Sequence, residues 1–427
     1  MSQKVELHTK TLGELFKFNQ FEGKQFEGNL SIPDYQRIYC WEDNNVLKLL
    51  DDIKDFSDKK YHLGSIILHK RENNQYDIVD GQQRLVTLSL LLLHINNSLD
   101  FPLSNAKFTS NEAQDYLSYN KWIIQNYYGI DELKKEEKVN QMLENLQFSV
   151  LIIEDESIDL AYTFFSNQNS RGKSLTDYDL LKAHHLRFIH IPEQANHMAE
   201  RWDNLILSSD NDSTDKDLAR TFGIYLFRLR KWMRKREWSN DAKFKVKNEF
   251  EASPIISQIP PFGEQFKFYE SIQGGSHFFA YADFFIYKFK TFSETTEYKS
   301  LKDNLSWETH WWYRDIIEAF LFAYYLKFGT IYLSDALIGI IKIISEHRFE
   351  NGRSNFKSLL KFAADSEIIL MIDQATSPTF FLAEMSQKNK KNIRINGESL
   401  GGIRDRYLNN VNYIFNKLKE NTTISHD

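Results

Sequence analysis

Between residues 43 and 57 the apolar positions Val46, Leu49, Leu50, Ile53 and Phe56 recur at helical spacing, leaving Glu42, Asp43, Asp51, Asp52 and Asp55 for water. The pattern predicts an amphipathic helix. Two short β-type runs follow at residues 63–68 and 76–79, joined by a polar segment of hairpin-turn composition at 70–75. At Asp80-Gly81 the period changes. Leu85, Leu88, Leu91, Leu92 and Ile95 predict a helix over residues 82–97, apolar on most faces and therefore expected inside. A polar, helix-forming stretch covers 111–146, and residues 148–153 read as a third strand able to return to the first sheet. The Asn-, Ser- and Gly-bearing run at 167–175 predicts a loop, with Thr176 or Asp177 as N-cap of the helix after it. Beyond about Ile191-Pro192, aromatic and long apolar residues recur at helical spacing, most densely over 311–325, and residues 208–216 read as a mobile loop.

A chain of 427 residues exceeds one ordinary domain of about 100–200 residues. The expected fold class is α+β: a small mixed α/β domain over 1–190, then a mostly α-helical domain over 191–427. At 42% hydrophobic and 15% aromatic residues, the chain has material for a large core. Lys and Arg number 53 against 59 Asp and Glu, and the net charge of −6 excludes a globally basic coat, so any DNA contact must use a local patch. A single cysteine, Cys40, excludes an intrachain disulfide framework and a cysteine-based zinc cluster and fits a reducing compartment. The longest apolar run, residues 85–95, is interrupted by Thr87, Ser89 and His94 and falls short of the roughly 20 residues a membrane span needs. A cytoplasmic protein without a membrane segment is expected.

Three segments carry candidate chemistry. In Ile78-Val-Asp-Gly-Gln-Gln-Arg-Leu85 a strand ends in Asp80, Gly81 allows a sharp turn, and a helix opens with Gln82, Gln83 and Arg84. Free amides, the positive end of a helix dipole and a guanidinium together suit a phosphate, and Asp80 suits a Mg²⁺ ion or a water beside it. The same spacing also suits a helix that Asp80 merely caps. In the 31–41 segment, Gln36 and Arg37 suit phosphate or a base edge while Tyr35 or Trp41 stacks on a ring, although an aromatic anchor would look alike. In the 165–182 segment, Asn169, Arg171 and Lys173 surround Gly172 as an anion-contacting loop would, and as a polar connector also would. The Walker A spacing is absent.

IPDYQRIYCW, LGSIILH with IVDGQQRLVTL, and FSNQNSRGKSLTDYDLLKAH, in this order, resemble the N-terminal domain family of GmrSD-type modification-dependent restriction enzymes. The resemblance implies a fold related to the ParB and sulfiredoxin nucleotide-binding domains. It implies nucleotide-binding roles for Tyr35, Gln36, Arg37, Gly81, Gln82, Asn169, Arg171 and Gly172. It implies catalytic roles for Asp80, Gln83 and Arg84, with Mg²⁺ at Asp80. Asp80 or Gln83 would orient the water and Arg84 would stabilise the transferring phosphoryl group. Gln82-Gln83 stands where sulfiredoxin chemistry needs a cysteine, which argues against a reductase. Many relatives continue into an HNH nuclease domain, and no such pattern is found in the C-terminal half. The expected protein is thus an NTP-binding and NTP-hydrolysing sensor subunit of a restriction or anti-phage system. Its expected partners are NTP, foreign or modified DNA and a separate nuclease, with a second copy of the chain left open. The alternative is a non-catalytic DNA- or nucleotide-binding regulator.

For DNA, the clearest patch is Arg228, Arg230, Lys231, Arg234, Lys235 and Arg236, with Trp232 inside it and Trp238 just beyond. A second basic run covers 388–394, followed by Arg404 and Arg406. Either also reads as a solvated helix face.

Overall fold

Period-two alternation and β-branched residues give five strands, and long apolar helices cover one face of the sheet they form. The computed structural model describes residues 4–16, 26–95, 103, 111–154, 175–189, 191–207, 217–235, 246–251, 266–351, 354–389 and 400–424. The strands are β1 (Lys4–Thr11), β2 (Asn29–Ser31), β3 (Tyr61–Lys70), β4 (Gln75–Asp80) and β5 (Leu146–Glu154), in the order β1-β5-β3-β4-β2. The β3–β4 and β1–β5 pairs are antiparallel, while β5 lies parallel to β3 and β2 parallel to β4. The 63–68 and 76–79 runs therefore form the expected hairpin, closed by a turn in which Asn73 and Asn74 take left-handed backbone angles. The third expected strand does return, as β5 beside the central β3. Two edge strands, β1 and β2, were not foreseen: β1 mixes Lys, Glu and His into its alternation, and β2 has only three residues.

The first unit comprises residues 1–207 with 274–276. Its helices include α1 (Leu12–Leu15), α2 (Asp43–Phe56), α3 (Gln82–Ile95), α4 (Asn111–Gln125), α5 (Ile130–Leu133), α6 (Glu136–Asn145), α7 (Asp177–Leu186) and α8 (Pro192–Leu207). Ile66, Leu68, Ile78, Phe148, Val150 and Ile152 of the sheet share one core with Val46, Leu50 and Ile53 of α2 and Leu85, Leu88, Leu91 and Leu92 of α3. As expected, α3 is buried on most sides. The first unit extends past residue 190 through α8, because Trp202 donates its indole N–H to the Tyr178 carbonyl and Asp203 pairs with Lys182 of α7.

The second unit, residues 208–273 and 277–427, is helical in its described parts. Its longest buried helix, α14 in a run that starts with α9 (Asp217–Ala219), α10 (Phe227–Met233), α11 (Lys247–Phe250), α12 (Ser276–Ser293) and α13 (Thr296–Asn304), spans His310–Phe328. It buries every residue from Asp315 to Tyr324 and packs against Leu333–Glu350. A seven-residue π-helical segment, Arg220–Leu226, joins α9 to α10. The expected loop at 208–216 lies outside the described residues. Among the described residues no helix is long and apolar enough to cross a membrane.

Candidate functional site

The turn between β4 and α3 has the geometry that the Asp-Gly pair demands. Gly81 takes φ 95°, and a Cβ there would lie 2.5 Å from Cγ2 of Ile66 on β3. Only glycine fits both the angle and the space. Asp80 is half-buried at the end of β4 and accepts a hydrogen bond from the Gly81 amide. Burial raises the Asp80 pKa, and the Gly81 amide, Arg84 and Arg37 pull it back in part. The carboxylate therefore lies in the field of two guanidinium groups at the N-terminus of a 14-residue helix.

The three residues after Gly81 act on the protein backbone. Gln82 donates from Nε2 to the Arg37 carbonyl at 3.0 Å. Gln83 donates to the Ile38 carbonyl at 3.0 Å and accepts from the Cys40 amide at 2.9 Å. Arg84 donates from Nη1 to the Leu63 carbonyl at 2.8 Å. The same nitrogen reaches the Ser65 carbonyl at 3.4 Å, and between the two stands Gly64, with φ 115°, where a Cβ would sit 2.5 Å from Arg84 Nη1. Here the β3–β5 register shifts between His62 and Ser65, so the bulge admits the guanidinium to the strand backbone. Sequence reasoning missed Gly64, although a glycine inside a strand is the signal of such a bulge.

The 31–41 segment is consequently an irregular strap fixed by side chains. Gln36, only 7% exposed, donates to the carbonyls of Ile78 at 2.8 Å and Val79 at 2.6 Å at the end of β4. Tyr39 lies 2.7 Å from the Thr87 hydroxyl of α3 and accepts from Asn120 at 3.0 Å; burial pushes its pKa up to about 12. Asn120 also donates to the Trp41 carbonyl at 2.7 Å. Trp41 packs against the core, which matches its reading as an anchor.

Two expectations for this segment change. Tyr35, expected to stack on a ligand ring, is buried, 7% exposed. Gln36, expected on phosphate or a base edge, spends its amide on β4. The physical reason is common to both: an irregular backbone beside a sheet end must find donors for its own carbonyls and anchors for its path. Arg37 behaves differently. Its backbone is held by Gln82, its side chain is half-buried near Asp80, and among the described residues no hydrogen bond or ion pair engages its guanidinium.

Asn169, Arg171 and Gly172 lie outside the described residues. Directly after them α7 begins as expected, with Thr176 as N-cap in a reciprocal capping box with Asp179. From α7, Lys182, 2% exposed, donates to the Gln36 carbonyl at 3.0 Å and to Asp203 at 2.8 Å. The sequence carried no signal for this residue, since a lysine in a helix is ordinarily a surface group.

The basic run of the second unit divides by burial. Arg228 is 0% exposed, lies 5.4 Å over the Phe356 ring and stands 3.8 Å from Asp315. Arg230 is 5% exposed and donates to Glu249 at 2.6 Å and to the carbonyls of Phe268 at 2.9 Å and Glu270 at 2.7 Å. Lys231 and Arg234 converge on the same Glu249, and exposed Lys235 faces Glu367 at 3.5 Å. Arg236 lies outside the described residues, as does most of the 388–394 run. Acidic partners distant in sequence draw these cations inward, so Arg228 and Arg230 present no charge to DNA. Nearby, Arg220 of the π-helical segment pairs with Asp315 and Glu318. Among the described residues no group of three or more His, Cys, Asp or Glu side chains is arranged to hold a metal ion.

The first unit is thus a mixed α/β domain whose glycine turn sets a carboxylate and two arginines at a helix N-terminus. Residues 12–186 match the family described as GmrSD restriction endonuclease, N-terminal domain. Residues 194–400 match a family of unknown function (DUF7834). No curated protein matches the chain.

Proposed function

We propose that the first unit binds a nucleoside triphosphate at the N-terminus of α3 and hydrolyses it, as the sensor of a restriction-type defence protein. The domain match supports the defence setting. The observation that carries the site is Arg37: a half-buried guanidinium without a partner among the described residues, held beside Asp80 and the first-turn amides of α3. Arg37 would take the terminal phosphate, with the α3 amides behind it. Arg84, anchored on β3, would add positive potential without leaving its carbonyls. Gln83 has both ends of its amide occupied, so Asp80 is the group left to orient water. In that step water adds to the γ-phosphorus as the bond to the bridging oxygen breaks, releasing phosphate and the diphosphate.

Mg²⁺ fits this donor set in its sparse mode, in which one or two carboxylates share the ion with phosphate and water; Asp80 would be the protein ligand. When bound it would neutralise phosphate charge. Asn169, Arg171 and Gly172 would approach the same ligand, and the signal would pass to DNA or to a separate nuclease.

The test is phosphate release by the full chain with ATP, GTP, CTP and UTP plus Mg²⁺, alongside Arg37→Ala. Loss of a charge-assisted phosphate contact should weaken binding and turnover at least about tenfold while the thermal midpoint stays. Unchanged turnover in Arg37→Ala would sink the assignment. The structural engagement of Gln82, Gln83 and Arg84 favours a second reading, binding without hydrolysis. Binding lost in Arg37→Ala, with no release by the native protein, would select it.

A further inference from the structure

Three consecutive carbonyls of the strap, those of Gln36, Arg37 and Ile38, each accept a hydrogen bond from a side chain. The donors are Lys182, Gln82 and Gln83, at 3.0 Å in each case. Two of the donors belong to the turn after β4. The third comes from α7, more than a hundred residues later in the chain. Lys182 is 2% exposed, and its other partner, the Asp203 carboxylate of α8, lies 2.8 Å away. Gln36 is thereby held at both ends. Its side-chain amide is pinned on the Ile78 and Val79 carbonyls of β4, and its own carbonyl is pinned by the ammonium. The next residue is Arg37, whose guanidinium alone in the strap is uncommitted among the described residues.

We infer that Lys182 is a positioning residue that sets the Arg37 guanidinium through the Gln36 carbonyl, making α7 part of the ligand site without touching the ligand. A buried ammonium on a backbone carbonyl needs a counter-charge, and Asp203 supplies it, so the pair acts as a fixed strut between α7, α8 and the strap. A lysine serving stability alone would be as well replaced by an apolar side chain of similar length. Here the contact falls on the one carbonyl next to the uncommitted arginine.

The assignment rests on the nucleotide reading for its ligand, and the experiment separates the two. Three full-length chains are compared: native, Asp203→Asn, and Lys182→Met with Asp203→Asn. Asp203→Asn keeps the donor to Gln36, whereas the double variant removes it without stranding a buried carboxylate. Hydrogen exchange over residues 36–41 and the affinity for each of the four nucleoside triphosphates with Mg²⁺ are measured. The double variant should exchange about ten- to a hundredfold faster in this segment and bind correspondingly more weakly, with Asp203→Asn, which keeps the donor but loses its counter-charge, falling between it and the native chain. Lys182→Arg, which retains a donor and charge, should recover part of the loss. Equal behaviour of the single and double variants in exchange overturns the inference, whatever the nucleotide result. Faster exchange with unchanged affinity overturns it too, because the strut would then be structural only. If the native chain binds no nucleotide the nucleotide reading fails, and exchange alone decides whether Lys182 fixes the strap.

Discussion

Gln36, Gln82 and Gln83 are the polar residues that first suggest ligand recognition, yet each spends its amide on backbone. A primary amide has two donor hydrogens and an acceptor oxygen, the set needed to satisfy an irregular segment that no ladder supports. Arginine divides the same way: Arg84 binds a strand carbonyl, and the Arg37 guanidinium has no hydrogen bond or ion pair among the described residues. Asp80 provides a pH-dependent test. Its pKa is raised, chiefly by burial, so the ionised carboxylate opposes folding above that pKa and the opposition disappears as pH falls below the unfolded value. Asp80→Asn should therefore raise the thermal midpoint at pH 7 and raise it progressively less toward pH 3, while abolishing Mg²⁺-dependent turnover. A midpoint lowered equally at both pH values would contradict the burial argument.

The strand–turn–helix of β4 and α3 was legible in the sequence because its signals are local: alternation up to Val79, an Asp-Gly break, then helical spacing through Ile95. The hairpin was legible for the same reason. What the period could not supply was the partner of each element, so the parallel pairing of β5 with β3 and the bulge at Gly64 came only with the sheet. At this scale Gly81 is decisive. Gly81→Ala combines a positive φ with a Cβ 2.5 Å from Ile66, and should cost about 2–4 kcal/mol of unfolding free energy in a denaturant titration. A loss below the error of the titration would mean that the turn relaxes. The strap itself was read as chemistry, since nothing in residues 31–41 announces that α3, α4 and α7 will hold it.

Across the whole molecule, both units bury paired charge, the first in Lys182 with Asp203. The first also holds the Arg37 guanidinium, which has no hydrogen bond or ion pair among the described residues. In the second, Arg220, Arg228 and Arg230 are buried against Asp315, Glu318 and Glu249. Such pairs are costly to break one-sidedly: Arg230→Met takes from Glu249 its buried partner, leaving it Lys231 and Arg234, and takes from two carbonyls their donor. It should destabilise the chain by about 3–5 kcal/mol and leave duplex DNA affinity, and its salt slope, unchanged. Weaker DNA binding at native stability would restore the patch to the surface.

Sequence alone determined the division into a mixed α/β part and a helical part, the order of most elements, and the turn at Asp80-Gly81, because periodicity and backbone permissiveness are properties of neighbouring residues. Tertiary structure decided which polar groups are spent and which are spare. That choice depends on partners brought together from far apart in the chain, as Lys182 reaches Gln36 and Arg220 reaches Glu318, and desolvation then makes each pairing obligatory.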